Sequence, residues 1–234
     1  MPYPIKEHIE NDVDFKLSAT KLYVISFIMT LIAGYINSAM LIEFGIPVSQ
    51  MTGVSSRMSD AIVDIEWIDL LNNFMILSGF FGGAFISGWL IGHSQYQTTP
   101  NYGYALLLNC ILLSLATFFS FIQSDLSLLL AAIACGLQNA LVASYRGLQI
   151  RTTHVTGTVT DLGVHLAQKI KHKRAWSWKG NALIVLLLGF IIGGVIGIFA
   201  YRLFPNWSLV FPALITLILG LAYLYQFRSR QPTN

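Results

Sequence analysis

Two asparagines and two threonine–glycine pairs recur at matched spacing, and these are residue types that can hold a small polar solute in apolar surroundings. The first set is Gly34-Tyr35-Ile36-Asn37, Gly45 and Met51-Thr52-Gly53; the second is Gly136-Leu137-Gln138-Asn139, Gly147 and Val155-Thr156-Gly157. In both, a glycine stands eight residues after the asparagine. An amide in hydrocarbon must bond to a neighbouring helix or line a polar cavity. Both readings stand for Asn37 and Asn139, and Gln138 tilts the second copy toward a cavity. A threonine at a helix start can cap free backbone N–H groups, and glycine lets a backbone or solute approach. The positive end of such a helix favours an anion or an electron-rich group. The candidate solute-binding residues are therefore Asn37, Thr52, Gly53, Gln138, Asn139, Thr156 and Gly157, with a small solute, anionic by the helix-end argument. The plainer alternative is that the threonines only cap short interfacial helices; their recurrence argues for more.

A second group is ionisable: Arg57, Arg151, His154, Asp161 and His165. Asp161 and His165 are four apart and share a helix face, so they suit either a proton relay or a solvated surface pair. Arg57 takes the position of Asp161 when the Thr-Gly pairs are aligned, which suggests an ion pair between them. No metal site is expected, because His154, Asp161 and His165 lack a fourth ligand and a matching set in the other half. No cofactor is expected either. There is no Walker loop, no Gly-x-Ser-x-Gly elbow, no His-Glu-x-x-His and no dinucleotide fingerprint, which points away from an enzyme.

The elements that must position these residues are membrane helices. Of 234 residues, 55% are hydrophobic and 11% charged, against about 25% charged in soluble domains; the mean hydropathy is +0.63. Six stretches lack any Asp, Glu, Lys or Arg for 20 residues or more: 22–42, 70–92, 103–124, 126–145, 180–201 and 203–227. Crossing the hydrocarbon core takes about 20 apolar residues, so six spans are expected. Cys110 and Cys135 lie within them as inert thiols rather than as a disulfide framework. The polar start, with Glu7, Glu10, Asp12 and Asp14, is not a signal peptide.

Between the first two spans, Met51, Val54, Met58, Ile62 and Ile65 recur at helical spacing, with Arg57, Asp60, Asp64 and Glu66 on a polar side. Residues 151–170 repeat this plan. Full crossing by either segment would carry Arg57, Asp60 and Asp64, or Asp161 and His165, through the bilayer at high cost. Both are expected to be short amphipathic, re-entrant helices. The expected fold is thus an all-α, polytopic membrane protein in a single membrane domain. Residues 1–20 form a cytoplasmic polar tail, 21–124 a first repeat and 125–234 a second. Three spans per repeat is an odd number, so the repeats are inverted. The glycines of Phe80-Phe81-Gly82-Gly83 and Ile191-Ile192-Gly193-Gly194 mark close helix packing in each half.

At these residues the chain resembles the YoaK-like family of bacterial integral membrane proteins, long classed as a domain of unknown function. The resemblance covers nearly the whole chain and is most specific at Arg151-Thr152-Thr153-His154-Val155-Thr156-Gly157-Thr158. Family members often carry Gly-Tyr-x-Asp and Met-Thr-Gly-Asn, where Asn37 and Val54 stand here. The resemblance implies a multi-pass protein of the bacterial inner membrane and supplies no activity.

The repeat argument does supply one, because inverted repeats with polar breaks are how many secondary transporters build a midplane site. A small-solute secondary transporter or channel is expected. The alternative is a non-transporting scaffold or sensor that recruits partners through the basic loop 169–179. Membrane lipid is an expected partner and nucleic acid is not, since basic clusters beside spans commonly meet anionic headgroups; a homo-oligomer is allowed. With both termini cytoplasmic, twelve of the fourteen Lys and Arg residues face the cytoplasm and only Arg57 and Arg202 do not, as the positive-inside rule requires. In a cysteine-free background, Lys173→Cys should react with an impermeant maleimide only in inverted vesicles; labelling of intact cells would reverse the topology.

Overall fold

The computed structural model describes residues 19–92, 99–141, 150–173 and 176–229. Helix α1 spans Ala19–Phe44, α2 Met51–Val63, α3 Trp67–Ile91, α4 Asn101–Phe121, α5 Leu126–Leu141, α6 Val155–His172, α7 Trp178–Leu203 and α8 Val210–Arg228, with a 3-10 turn at Pro205–Trp207. Among the described residues there is no strand. The polar tail 1–18 and Gly147 lie outside the described residues.

The helices are amphipathic in the sense opposite to that of a water-soluble bundle. Helix α3 buries Asn73, Ile76, Gly79, Gly83 and Ser87 and turns Phe74, Phe81, Phe85 and Trp89 outward, Phe81 at 71% and Trp89 at 80% exposure. Helix α7 buries four glycines from Gly189 to Gly197 and exposes Ile191, Val195 and Phe199. Burying such a side chain out of water is worth roughly 2 kcal/mol, so a chain folding in water would turn them inward. The surrounding medium is apolar, and what holds the helices together is close packing of small residues.

That packing is backbone against backbone. A Cβ on Gly34 would lie 2.0 Å from the carbonyl oxygen of Phe190, and one on Gly193 2.0 Å from that of Leu31. The same pair of contacts joins α3 to α5: Gly136 faces the Phe80 carbonyl at 2.0 Å and Gly83 the Ile133 carbonyl at 2.0 Å. Within the double-glycine motifs it is Gly83 that plays the part of Gly193, one step out of the register that aligning the motifs by eye suggests. Gly82 faces open space.

Helix directions follow from which ends meet. Tyr23 at the start of α1 donates to the carbonyl of Trp178 at the start of α7, and Tyr35 donates to the Ser208 carbonyl beyond the end of α7, so α1 and α7 run parallel. Gly79 meets Leu129 and Gly83 meets Ile133, so α3 and α5 also run parallel. Tyr223 near the end of α8 donates to the carbonyl of Thr99 just before α4, while Phe121 at the end of α4 meets Trp207 before α8 edge-to-face, ring centres 4.9 Å apart; α4 and α8 are antiparallel. Six crossings produce this pattern; eight would make α4 and α8 parallel.

Length and composition bear out five of the six expected spans among the described residues. Five helices are long and apolar enough to cross a membrane, α1, α3, α4, α7 and α8, the last taken with the 3-10 turn before it. The sixth expected span, 126–145, appears as α5, whose 16 described residues reach about 24 Å at 1.5 Å per residue against a core of about 30 Å; residues 142–145 lie outside the described residues. Helix α2, with 13 residues, is about 20 Å long and packs on α3, while α6 packs on α7.

The crossings make a sharp prediction from neighbouring glycines. Gly83→Ala should destabilise the folded protein by roughly 3 kcal/mol, because the backbone it strikes cannot yield. Gly82→Ala should be neutral. Thermal unfolding of both variants in one detergent checks this, and equal melting temperatures would refute it.

Candidate functional site

The site is built from two loop-to-helix junctions with one design. After α1, Gly45 takes a left-handed φ of +70° and its N–H bonds the Leu41 carbonyl at 3.0 Å; glycine adopts this conformation without steric cost. The chain then turns back along α1. Ser49 donates its backbone N–H at 3.1 Å and its hydroxyl at 2.9 Å to Oδ1 of Asn37, and α2 begins two residues later. At the second junction Thr153 donates its backbone N–H at 3.1 Å to Oδ1 of Asn139, and α6 begins two residues later. Each asparagine thus pins the loop that precedes a short helix rather than bonding to a neighbouring helix. The Asn37 side chain is 2% exposed and does not line the cavity described below, whereas Asn139 does.

The threonines do not cap. The N-cap of α2 is Gln50 and that of α6 is His154, neither with a side-chain capping bond; Thr52 and Thr156 are the second helical residues. The first helical bonds come from Val54 N to the Gln50 carbonyl and Thr158 N to the His154 carbonyl, both at 3.0 Å. The N–H groups of 51–53 and 155–157 therefore lack an acceptor within their helices. The expectation failed because a helix reading from sequence starts at the first good capping residue, while the asparagine-held loop lets each helix begin two residues earlier. The signal for the real anchor was present: Ser49 and Thr153 both stand three residues before the Thr-Gly threonine.

Both helix starts open on one cavity of about 400 Å³, lined by Ser49, Gln50, Met51, Thr52, Gly53 and Phe80 on one side and Asn139, Arg151, Thr153, His154, Val155 and Thr156 on the other. Gly157 leaves room for the His154 imidazole: a Cβ there would lie 2.1 Å from Nε2. Gly53 is less crowded, with Gln50 Oε1 4.0 Å from the corresponding position. Arg151 brings a positive charge to a lining that holds no carboxylate among the described residues. Two positive helix ends and an arginine around one polar space suit a small anion.

The other expected residues fall elsewhere. Gln138 is buried and donates from Nε2 to the Met29 carbonyl at 2.5 Å, joining α5 to α1 outside the cavity lining. His165 does not pair with Asp161. Its Nε2 lies 2.7 Å from the Ser177 hydroxyl and its ring meets Trp176 edge-on, because the chain folds back from α6 into α7. Asp161 and Arg57 are exposed, and with α2 docked on α3 and α6 on α7 no ion pair joins them among the described residues. Sequence reasoning missed Ser49, Gln50, Thr153 and Phe80.

A family model described as "Protein of unknown function (DUF1275)" matches residues 25–222. No curated protein matches the chain, and no solved structure matches it.

The anchoring uses only the oxygen of Asn37. Asn37→Asp, which keeps that acceptor, should leave stability nearly unchanged, whereas Asn37→Leu strands the buried Ser49 N–H and should cost about 1–3 kcal/mol. Unfolding of the two variants checks this, and equal losses would show that the amide nitrogen matters.

Proposed function

Given that the chain belongs to the DUF1275 family of proteins of unknown function, a membership consistent with the YoaK-like resemblance, we propose from its geometry that it is a small-solute transporter or channel whose solute is an anion. The carrying observation is that the free N–H ends of α2 and α6 open on one polar cavity. Free N–H groups cost roughly several kcal/mol each within a bilayer unless hydrated or bound, so the cavity must hold water or solute. Either allows a polar path where the rest of the surface is apolar.

The matched contacts support reading 21–124 and 125–234 as inverted repeats. Gly34 against Phe190 corresponds to Gly136 against Phe80, and Gly193 against Leu31 to Gly83 against Ile133. Asn37 holding Ser49 corresponds to Asn139 holding Thr153. Each first helix crosses the third helix of the opposite repeat, so the repeats interlock, and the cavity lies between equivalent helix starts. Two nearly equivalent halves around one site can exchange which side is open, which is the logic of alternating access.

The proposed orientation puts both termini and the basic turn of α6 in the cytoplasm of a bacterial cell, with the protein in its inner membrane. Lys169 lies over the ring of Trp176 at 5.2 Å and Lys179 over that of Trp178 at 5.9 Å. Tryptophan and lysine together are typical of headgroup level, which supports lipid rather than nucleic acid as the partner at this end.

Flux of small inorganic and carboxylate anions into proteoliposomes tests the reading. Arg151→Gln should lower flux about tenfold, the equivalent of 1.4 kcal/mol. Thr52→Val and Thr156→Val should lower it more than they lower folded yield, and Thr156→Ser should be nearly silent. Full flux in both valine variants and in Arg151→Gln would refute the cavity as the path.

A further inference from the structure

One ionisable side chain in the membrane domain lies outside the cavity and has no charged partner. Glu43 sits in the last turn of α1 and is partly buried. Its Oε1 accepts the Ser120 hydroxyl. Its Oε2 is shut off from solvent and has no hydrogen-bond partner. Ser120 is in the last turn of α4, so the carboxyl lies at the C-terminal ends of two helices at once. Those ends carry partial negative charge and oppose a carboxylate. An ionised group with one oxygen buried and bare, at two negative helix ends, meets three unfavourable conditions together.

The groups that face it do not supply the missing charge. Helix α4 contributes the Ser120 hydroxyl. Helix α7 contributes Tyr201, whose phenol is close enough to feel Glu43. Arg202, the next residue, is exposed. Asp125, in the turn from α4 to α5, is exposed and brings negative charge if anything.

We propose that Glu43 is a proton-binding site of this membrane domain, held as the neutral acid while α1 and α4 are together and releasing its proton to water when they part. As the acid, Glu43 carries its proton on Oε2 while Oε1 still accepts the Ser120 hydroxyl, so no bare charge is buried. On release the proton goes to water and the carboxylate is hydrated. The segment 44–50 leads from Glu43 to the start of α2, with the cavity-lining Ser49 held by Asn37, so a change at Glu43 reaches the cavity along one short stretch of chain. That makes the proton a coupling ion for solute movement, a step that rests on the transport reading; proton binding itself does not.

Infrared spectra of the full-length protein in nanodiscs, without solute, test it directly. At neutral pH the wild type should show a carboxylic-acid C=O band that shifts in D2O, disappears in Glu43→Gln and persists in Asp125→Asn. No acid band at neutral pH, or one that survives Glu43→Gln, overturns the proposal. So does a melting temperature that rises with sodium in the absence of the band, which would make this a cation site. If Glu43→Gln does not fold, Ser120→Ala must shift the band, and an unshifted band overturns the assignment. In liposomes a proton gradient should raise anion flux in the wild type and not in Glu43→Gln. Flux indifferent to the gradient, with the band present, overturns the coupling and leaves the transport reading standing; absence of flux under every condition, with the band present, overturns the transport reading and leaves the proton site.

Discussion

Everything in this membrane domain depends on four places where a glycine admits the carbonyl of a crossing helix. At Gly34, Gly193, Gly83 and Gly136 a Cβ would sit 2.0 Å from a carbonyl oxygen, so no side chain can separate the backbones. In lipid there is little hydrophobic gain from bringing apolar helices together, and close packing must hold them. These crossings set α1 against α7 and α3 against α5. They draw each half of the chain into the other, and the junctions that follow α1 and α5 arrive at one place. Hydrogen bonds of buried side chains then fix the details. Asn109 donates to the Ala134 carbonyl at 2.8 Å and Ser127 to the Ala116 carbonyl at 2.9 Å, both between α4 and α5.

Much of this was legible in the chain because apolar length and glycine spacing are local signals. The long spans, the tight turn between α4 and α5 and the amphipathic α2 and α6 follow from where charges are absent and where they recur. The glycines announced close packing, though not which carbonyl each would meet, since that depends on a register between segments more than a hundred residues apart. Gly82 and Gly83 are indistinguishable in sequence; only the crossing makes one indispensable and the other free.

The candidate site was half legible. The paired Asn and Thr-Gly positions located it, because they are polar residues at fixed intervals in an apolar chain. Their roles were misread for one reason. A side-chain oxygen within a few residues of a helix start is the usual capping partner, but here the oxygen comes from twelve or fourteen residues upstream, on the preceding span. The asparagine holds the loop, the loop supplies the helix start, and the threonine is left with its hydroxyl unspent at the cavity. The pairing of Asp161 with His165 failed similarly: helical spacing put them on one face, but the return of the chain gave His165 a closer partner in Ser177.

Leaving two helix ends uncapped is a cost that a purely structural design would avoid, since serine, threonine or aspartate at positions 50 and 154 would offer capping oxygens. The residues actually there are Gln50 and His154, neither of which makes a capping bond, and Gly157 is needed to fit the His154 ring beside the helix. The arrangement keeps the N–H groups of both first turns free and places an arginine among them. Such an end is favourable only when something electron-rich occupies the space in front of it. The loops that carry these ends are each held by a single asparagine oxygen on a packed span, so the donors are fixed before anything binds. A preorganised set of donors does not have to reorder to bind, which is what the proposed solute site requires.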